Sequence, residues 1–281
     1  MKGIALRQMY KQYRDALMQV YPMQEAESQT LWLMAYFLKI SKRDLLKNAV
    51  IETVPDSLPK ALKELLKGKP IQYILGETPF YGRNFTVGPG VLIPRNETEE
   101  LVHLVLANHS GRLKVLDIGT GSGCIAISLA LEMPKAEVGA MDLSGEALSM
   151  AKENASRLKA AITFFQSDVL LDPLPLSGLD IIVSNPPYVR ASEKDFMHKN
   201  VLEHEPHLAL FVSDEDPLKF YKVIVKKSQK HLKKGGYLYL EINEAFGNAT
   251  RSLMEDNEFE EVKIYRDLNG KDRIVWGRRL H

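Results

Sequence analysis

Val115-Leu116-Asp117-Ile118-Gly119-Thr120-Gly121-Ser122-Gly123 is an apolar run that breaks into three alternating glycines. Such a run, stopped by turn residues, reads as a buried strand. Glycines directly after it permit positive φ and let the backbone approach a ligand closely. In a doubly wound sheet the turn between a strand and the next helix is where ligands bind. Working outward, further apolar runs occur at 137–141, 162–165, 180–183 and 237–242, with amphipathic stretches between them. Strands too apolar to alternate, separated by helices, predict a mostly parallel sheet covered on both faces. The last two runs, 261–265 and 273–276, flank Leu268-Asn269-Gly270 and predict an antiparallel hairpin at the sheet's edge. The fold class is α/β.

About twenty residues after the glycines, Asp142 closes the next strand, where a carboxylate can accept both hydroxyls of a ribose. Strand, glycine turn, helix and acid together specify an adenosine-containing ligand. A dinucleotide site would place its third glycine at position 124, which is cysteine; here the third is Gly123. The G-x-G-x-G spacing is that of S-adenosylmethionine enzymes, with NAD the alternative. Gly119, Thr120, Gly121, Ser122, Gly123 and Asp142 are therefore candidate cofactor-binding residues.

Val183-Ser184-Asn185-Pro186-Pro187-Tyr188 ends the fourth core strand on an asparagine and two prolines, which allow neither a helix nor a further strand residue. Asn185 falls at the carboxyl edge of the sheet, on the side of the glycine turn. Its side-chain oxygen and the Pro186 carbonyl are two fixed acceptors, which suit one NH₂ group. Hydrogen bonds to both N–H groups would favour a pyramidal nitrogen whose lone pair points at a sulfonium methyl, a stabilisation selective for the transition state. Tyr188 can stack on the flat group, and no general base is needed before attack. Adenine N6, cytosine N4 and a glutamine amide all qualify as substrates. Asn185, Pro186 and Tyr188 are the candidate catalytic residues, and Asn185, Pro186, Pro187 and Tyr188 the candidate substrate-binding ones.

Ahead of the sheet, Leu6, Met9, Tyr13, Leu17 and Val20 recur at helical spacing with Pro22 as terminator. Helices are also expected at 28–40, from Ser41 with Asp44 in a capping-box-like start, and from Ser57 to Gly68. Between Phe80 and Pro94, Phe85, Val87, Val91 and Ile93 around Gly88-Pro89-Gly90 predict two short strands about a turn. The expected domains are thus 1–75 (helical, substrate recognition), 76–95 (a β-hairpin connector) and 96–281 (catalytic).

Lys and Arg total 37 against 36 Asp and Glu, so no global basic field of the kind used by non-specific nucleic-acid binders exists. No apolar stretch approaches the roughly 18 residues of a membrane span. Met1-Lys2-Gly3-Ile4-Ala5-Leu6-Arg7-Gln8 breaks with charge before a secretory segment develops, and the one cysteine, Cys124, excludes an internal disulfide. A cytoplasmic address is expected, with no membrane partner. Cys124 reads as a small buried residue without chemistry. His204 and His207, with Glu203 and Glu205, do not read as metal ligands, because Pro206 interrupts any helix that would align them, and no metal is expected. Lys226, Lys227, Lys230, Lys233 and Lys234 read as the solvated face of a helix, with RNA attraction as the alternative.

Several stretches together resemble the release factor glutamine N5-methyltransferases, the PrmC/HemK family. They are Gln72-Tyr73-Ile74-Leu75-Gly76, Phe80-Tyr81-Gly82, Val91-Leu92-Ile93-Pro94-Arg95, Glu97-Thr98-Glu99, the glycine turn, Asn185-Pro186-Pro187-Tyr188, Glu205-Pro206 with Ala209-Leu210, and Asp272-Arg273-Ile274-Val275. The resemblance covers essentially the whole chain. It implies a class I methyltransferase domain behind a small helical domain that helps bind a release factor, S-adenosyl-L-methionine as cofactor, and transfer to the glutamine of a Gly-Gly-Gln loop. It also implies cofactor contacts at Gly119 to Gly123, Asp142, Val169 and Asn185, and a cradle for the glutamine at Asn185 to Tyr188. The chain departs from the family pattern at Asn96 (usually proline), at Val169 (often an aromatic lining the adenine pocket), at Phe211-Val212-Ser213-Asp214 (commonly a glycine pair) and at Asn243 (usually glycine). Cofactor affinity is the property these departures bear on. The alternatives are a nucleic-acid adenine-N6 methyltransferase, which would share the cradle, and a non-catalytic cofactor-binding module that docks on release factors.

Overall fold

A computed structural model of the protein describes residues 4–47 and 49–280, so the first three residues of the amino-terminal reading and the last residue of the chain lie outside it. The chain divides into two units. One comprises the described residues up to Glu77 with His198–His204; the other comprises Thr78–Met197 and the chain from Glu205 onward.

The first unit contains β1 (Ile4–Ala5), α1 (Leu6–Leu17), α2 (Met23–Leu38), α3 (Lys42–Leu46), β2 (Val50–Ile51), α4 (Ser57–Leu66) and α5 (Ile71–Leu75). Leu6, Leu17, Leu33, Met34, Leu58 and Leu65 are fully buried in its core. Two expectations need correction here. Val20 does not continue the buried face of α1, because the helix has ended in a turn and Val20 is 51% exposed. Pro22 does not simply terminate α1; it caps α2, its carbonyl accepting from the Ala26 N–H at 2.9 Å. A proline suits a helix start because its φ is preset and no N–H there needs a partner. The Ser41–Asp44 capping box forms as expected, with the Ser41 N–H donating to Asp44 Oδ2 at 2.8 Å.

The second unit opens on a hairpin of β3 (Glu77–Phe80) and β4 (Arg83–Thr86). Its turn is Tyr81-Gly82, not the expected Gly88-Pro89-Gly90. Tyr81 and Gly82 both take positive φ, 48° and 72°, the geometry that matches a two-residue turn to strand twist. Gly88-Pro89-Gly90 makes a turn without strands, although Val87, Val91 and Ile93 are buried as expected. There follow α6 (Asn96–Asn108), β5 (Lys114–Ile118), α7 (Cys124–Glu132), β6 (Glu137–Asp142), α8 (Gly145–Leu158), β7 (Ile162–Gln166), β8 (Leu179–Ser184) and β9 (Val189–Arg190). After α9 (Lys199–His204), which belongs to the first unit, come α10 (His207–Leu210), β10 (Phe211–Val212), α11 (Lys219–His231), β11 (Leu232–Glu241), α12 (Gly247–Glu255), β12 (Phe259–Arg266) and β13 (Asp272–Arg279).

The seven-stranded sheet runs β12-β13-β11-β8-β5-β6-β7. It is parallel except for β13, which is antiparallel to both neighbours and forms the expected edge hairpin with β12. Alternate residues feed opposite cores: Val115 packs with Leu101, Ile125 and Leu129 on one face, and Leu116 with Tyr221, Ile224 and Val225 on the other. The architecture is that of a class I methyltransferase domain.

The lysine run also differs from expectation. Lys233 and Lys234 lie in β11, since α11 ends at His231. Lys227 donates to the carbonyl oxygens of Val169 and Asp172, and Lys233 pairs with Asp180 at 3.0 Å, so neither is a free solvated charge.

Fully buried Asn154 on α8 joins the hairpin to the glycine turn. Its Oδ1 accepts from the Thr86 N–H at 2.7 Å, and its Nδ2 donates to the carbonyls of Thr86 and Ser122 at 3.0 and 2.9 Å. Asn154→Ala strips all three groups of their partner, which is expected to cost on the order of 3 kcal/mol. Urea unfolding of the variant measures it, and a midpoint equal to wild type would show that the joint carries no stability.

Candidate active site

Hydrogen-bonded register lines up the ends of the central strands. Ile118 of β5 lies opposite Ser184 of β8 and Met141 of β6, and Leu240 of β11 also lies opposite Ser184. The residues that follow, Gly119, Asp142, Asn185 and Glu241, therefore form one row at the carboxyl edge of the sheet. The Ser184 hydroxyl tightens the row by donating to the Ile118 carbonyl at 2.7 Å.

Within the glycine turn, the Gly119 and Thr120 N–H groups both donate to the Met141 carbonyl, at 2.9 and 3.0 Å. The Gly121 N–H donates to Asp142 Oδ2 at 2.8 Å, and the Ser144 N–H to Oδ1 at 2.9 Å. Burial raises the Asp142 carboxyl above its ordinary range, while these N–H groups oppose the shift. Each Asp142 oxygen keeps a lone pair for a further donor. Gly119 and Gly121 take φ of +73° and +54°, and a Cβ built on either meets nothing within 4 Å, so the turn borders open space. Gly123 caps α7 at φ +83°, and its missing Cβ is what lets Ile127 and Ala151 approach.

Beneath the turn lies Asp117, fully buried. Its Oδ2 accepts from the Thr120 hydroxyl at 2.6 Å; its Oδ1 makes no hydrogen bond of ordinary geometry among the described residues, although the nearby Ala126 N–H favours the charge. Burial pushes this carboxyl up to about 7. An open cradle, a ribose-matched acid and an under-satisfied buried carboxylate fit a cofactor that carries a ribose and a cationic end.

Asn185 is half-buried and its neighbour Pro186 buried. The Asn185 amide donates through Nδ2 to Thr98 Oγ1 at 3.2 Å; Thr98, in the first turn of α6, donates in turn to Glu241 Oε2 at 2.7 Å. The Tyr188 hydroxyl donates to the other oxygen, Oε1, at 3.1 Å. Glu241 is 1% exposed; burial raises its carboxyl, opposed by Thr98, Tyr188 and the charge of Arg273. Burial also raises the Tyr188 phenol, so it stays protonated. Among the described residues no donor reaches Asn185 Oδ1, which is left for a ligand. Thr98 and Glu241 had no assigned role in the sequence: Thr98 sat inside a motif, and Glu241 lay unremarked within the apolar run 237–242.

Other motif residues hold the backbone around the row. Buried Glu205 accepts from the Ile93 N–H at 3.0 Å and from Arg95 at 2.6 Å, and Glu99 accepts from the Tyr81 N–H at 2.9 Å. Asn96 is the first residue of α6, where proline and asparagine are both accommodated. Asn243 has φ −65°, so glycine is not required there. Its side chain accepts from the Ala245 N–H at 3.0 Å and reaches the Tyr188 carbonyl at 3.4 Å. Val169 is half-buried beyond β7, its carbonyl held by Lys227 at 2.6 Å. Exposed Leu143 adds an apolar side chain directly after Asp142. Burial pushes the Cys124 thiol up to about 12, which leaves it inert. His204 and His207 stand in separate helices, α9 and α10.

A family model described as methyltransferase small domain matches residues 96–209, and one described as PrmC N-terminal domain matches residues 8–76. The chain is 44% identical over 270 residues to the release factor glutamine methyltransferase of Bacteroides thetaiotaomicron, covering 95% of this chain and 97% of that one. It is 43% identical over 272 residues to that of Flavobacterium psychrophilum, covering 94% and 95%. Among solved structures, a methyltransferase from Pyrococcus furiosus matches with a TM-score of 0.54 at 16% identity, over 79% of this chain and 99% of that one, a likeness of fold.

Two glycine substitutions separate binding from folding. Gly121→Ala adds a Cβ into open space at a strained φ, a cost of about 1–2 kcal/mol, and is expected to stay folded while cofactor affinity, read by calorimetry, falls at least ~10-fold. Gly123→Ala would set its Cβ 2.8 Å from Ile127 Cδ1 and 3.2 Å from Ala151 Cβ, and is expected to lower the melting temperature further. Unchanged cofactor affinity in Gly121→Ala would remove the turn from the binding site.

Proposed function

The chain belongs to the release factor glutamine methyltransferase family, and from that premise we propose how its residues divide the work. The enzyme uses S-adenosylmethionine and takes release factors as protein substrate. Between the substrates that the sequence alone left open, family membership selects the glutamine amide. The proposed acceptor is the side-chain nitrogen, N5, of the glutamine in a Gly-Gly-Gln loop. The observation that carries this reading is the Asn185 amide, anchored through its nitrogen with Oδ1 left at the edge of the sheet beside the glycine turn.

Bound S-adenosylmethionine supplies an electrophilic methyl group on a sulfonium. In the proposed mechanism, Gly119 to Gly123 line its binding cradle, the free lone pairs of Asp142 accept from the ribose hydroxyls, and Val169 lines the adenine side. Asn185 Oδ1 and the Pro186 carbonyl accept the two N–H groups of the glutamine amide. A planar amide nitrogen is a poor nucleophile because its lone pair is delocalised. Two fixed acceptors favour the pyramidal form, and they do so most in the transition state, where the N–H groups become more acidic. The Tyr188 ring, tethered by its hydroxyl to Glu241, forms a flat wall for the amide. Methyl transfer from the sulfonium would make the nitrogen acidic, so its proton could pass to water afterwards and no side chain need act as base.

In the same reading the helical unit recognises the body of the release factor, no nucleic acid is itself methylated, and the enzyme works in the cytoplasm. No described helix is long and apolar enough to cross a membrane. Deleting the first 75 residues would be a poor test of recognition, because His198–His204 belongs to the same unit and would lose its packing partners.

Asn185→Ala removes one acceptor, which typically costs about 10²- to 10³-fold in turnover. Asn185→Asp is expected to be impaired as well. It keeps the acceptors, but it turns a carboxylate toward Thr98, whose only proton is already committed to Glu241, and it over-stabilises the cationic donor in the ground state. Single-turnover transfer of labelled methyl to purified release factor, with DNA as a control, measures both variants at saturating cofactor. An Asn185→Ala rate within about threefold of wild type would take Asn185 out of the chemistry, and label only in DNA would replace the substrate.

A further inference from the structure

We propose that the buried Glu241 carboxylate, acting through the Thr98 hydroxyl, dictates which way round the Asn185 amide sits and so keeps its oxygen toward the substrate. The inference rests on the reading of Asn185 as a substrate acceptor and adds two positioning residues to it.

A threonine hydroxyl has one proton to donate and two lone pairs. The Thr98 proton goes to Glu241 Oε2 at 2.7 Å, the shortest hydrogen bond of the group, while the other Glu241 oxygen accepts from Tyr188. Thr98 Oγ1 can then only accept from Asn185, 3.2 Å away, so the end of the amide that faces it must be Nδ2. Oδ1 is thereby turned to the opposite side, where the glutamine N–H groups arrive. An asparagine amide is nearly symmetric in shape: a half-turn about its last torsion exchanges oxygen for NH₂ with almost no change in packing. Shape alone therefore does not select the productive orientation. In the inverted one, an NH₂ would face the substrate NH₂, with donor against donor and no bond formed.

The polarity originates at Glu241, which is 1% exposed and receives Thr98 on one oxygen and the Tyr188 hydroxyl on the other. One carboxylate thus orients both ends of the Asn185 to Tyr188 cradle. Neither Thr98 nor Glu241 need touch the substrate, so both act through Asn185 and Tyr188. A purely packing role for Thr98 would be filled by valine, which has the same shape and no hydroxyl. A polarity role would be filled by serine, which keeps the hydroxyl and loses a methyl.

The test uses the full chain and purified release factor, with Thr98→Val and Thr98→Ser each made alone and in the Asn185→Ala background. Thr98→Val is expected to lower kcat on the order of 10- to 100-fold, less than outright loss of the acceptor, with KM for the release factor and cofactor affinity near wild type. Thr98→Ser is expected to restore kcat to within about threefold. In the Asn185→Ala background, where no amide remains to orient, Thr98→Val should cost almost nothing more. Thr98→Ala, with the same expected outcomes, replaces the valine variant should that not fold. A valine variant as active as wild type, or one that costs the same factor with and without Asn185, overturns the relay while leaving Asn185 in place. An Asn185→Ala enzyme as fast as wild type overturns the underlying reading itself.

Discussion

Parallel pairing obliges strands that run side by side to finish on the same side of the sheet, because every return crosses over before the next strand begins. Register then sets how level the finish is. With Ile118 opposite Ser184 and Met141, and Leu240 opposite Ser184, the backbone hydrogen bonds of β5, β6, β8 and β11 deliver Gly119, Asp142, Asn185 and Glu241 to one line. A glycine turn, an aspartate, an asparagine amide and a buried glutamate become neighbours although they are far apart in the chain. A slip of one residue in any pair would reverse which side chains face the core and break the line at once.

What extends beyond the strand ends has no ladder to hold it, and buried backbone still needs partners. The chain meets that need with buried polar side chains, each placed where several groups converge. Asn154 satisfies Thr86 on both its N–H and its carbonyl and takes in Ser122 of the glycine turn. Glu205 gathers the Ile93 N–H and the Arg95 guanidinium. Glu241 gathers Thr98 and Tyr188, with the charge of Arg273 nearby. Burying a carboxylate is costly unless it is paired or hydrogen-bonded. The hydrogen bonds that offset the cost also orient the groups that donate them. Rigidity around Asn185 to Tyr188 is thus a by-product of satisfying a buried carboxylate, and the prolines at 186 and 187 add to it by fixing φ.

Much of this was legible in the order of residues. The strands of the sheet declared themselves as apolar runs, because a strand buried on both faces leaves no room for polar side chains. The glycine spacing and Asp142 predicted an adenosine-bearing cofactor, since glycine takes positive φ without strain and lets backbone approach a ligand. Asn185-Pro186-Pro187-Tyr188 predicted a pair of acceptors for an NH₂ group. All of these are local facts: a residue type, its immediate neighbours and a short spacing suffice. The errors were also local ones, where two readings of a short stretch compete. Gly88-Pro89-Gly90 looked like the hairpin turn, whereas the positive φ of Tyr81 and Gly82 made it. Pro22 looked like an ending and proved to be a beginning. Lys233 and Lys234 looked helical until β11 claimed them.

The tertiary structure alone decided which side chains complete the site. Thr98 and Glu241 are 143 positions apart, Ile93 and Glu205 112, and Thr86 and Asn154 68. No periodicity links such pairs, because a hydrogen bond between side chains depends on where two separate elements meet in space. The sequence by itself determined the class of fold and narrowed the cofactor to one that carries adenosine, since both are written in backbone preference and local chemistry. Which way the Asn185 amide points is decided only when the start of α6 and the end of β11 come together around it, because direction in a hydrogen-bond chain belongs to the whole chain of donors and to no single residue.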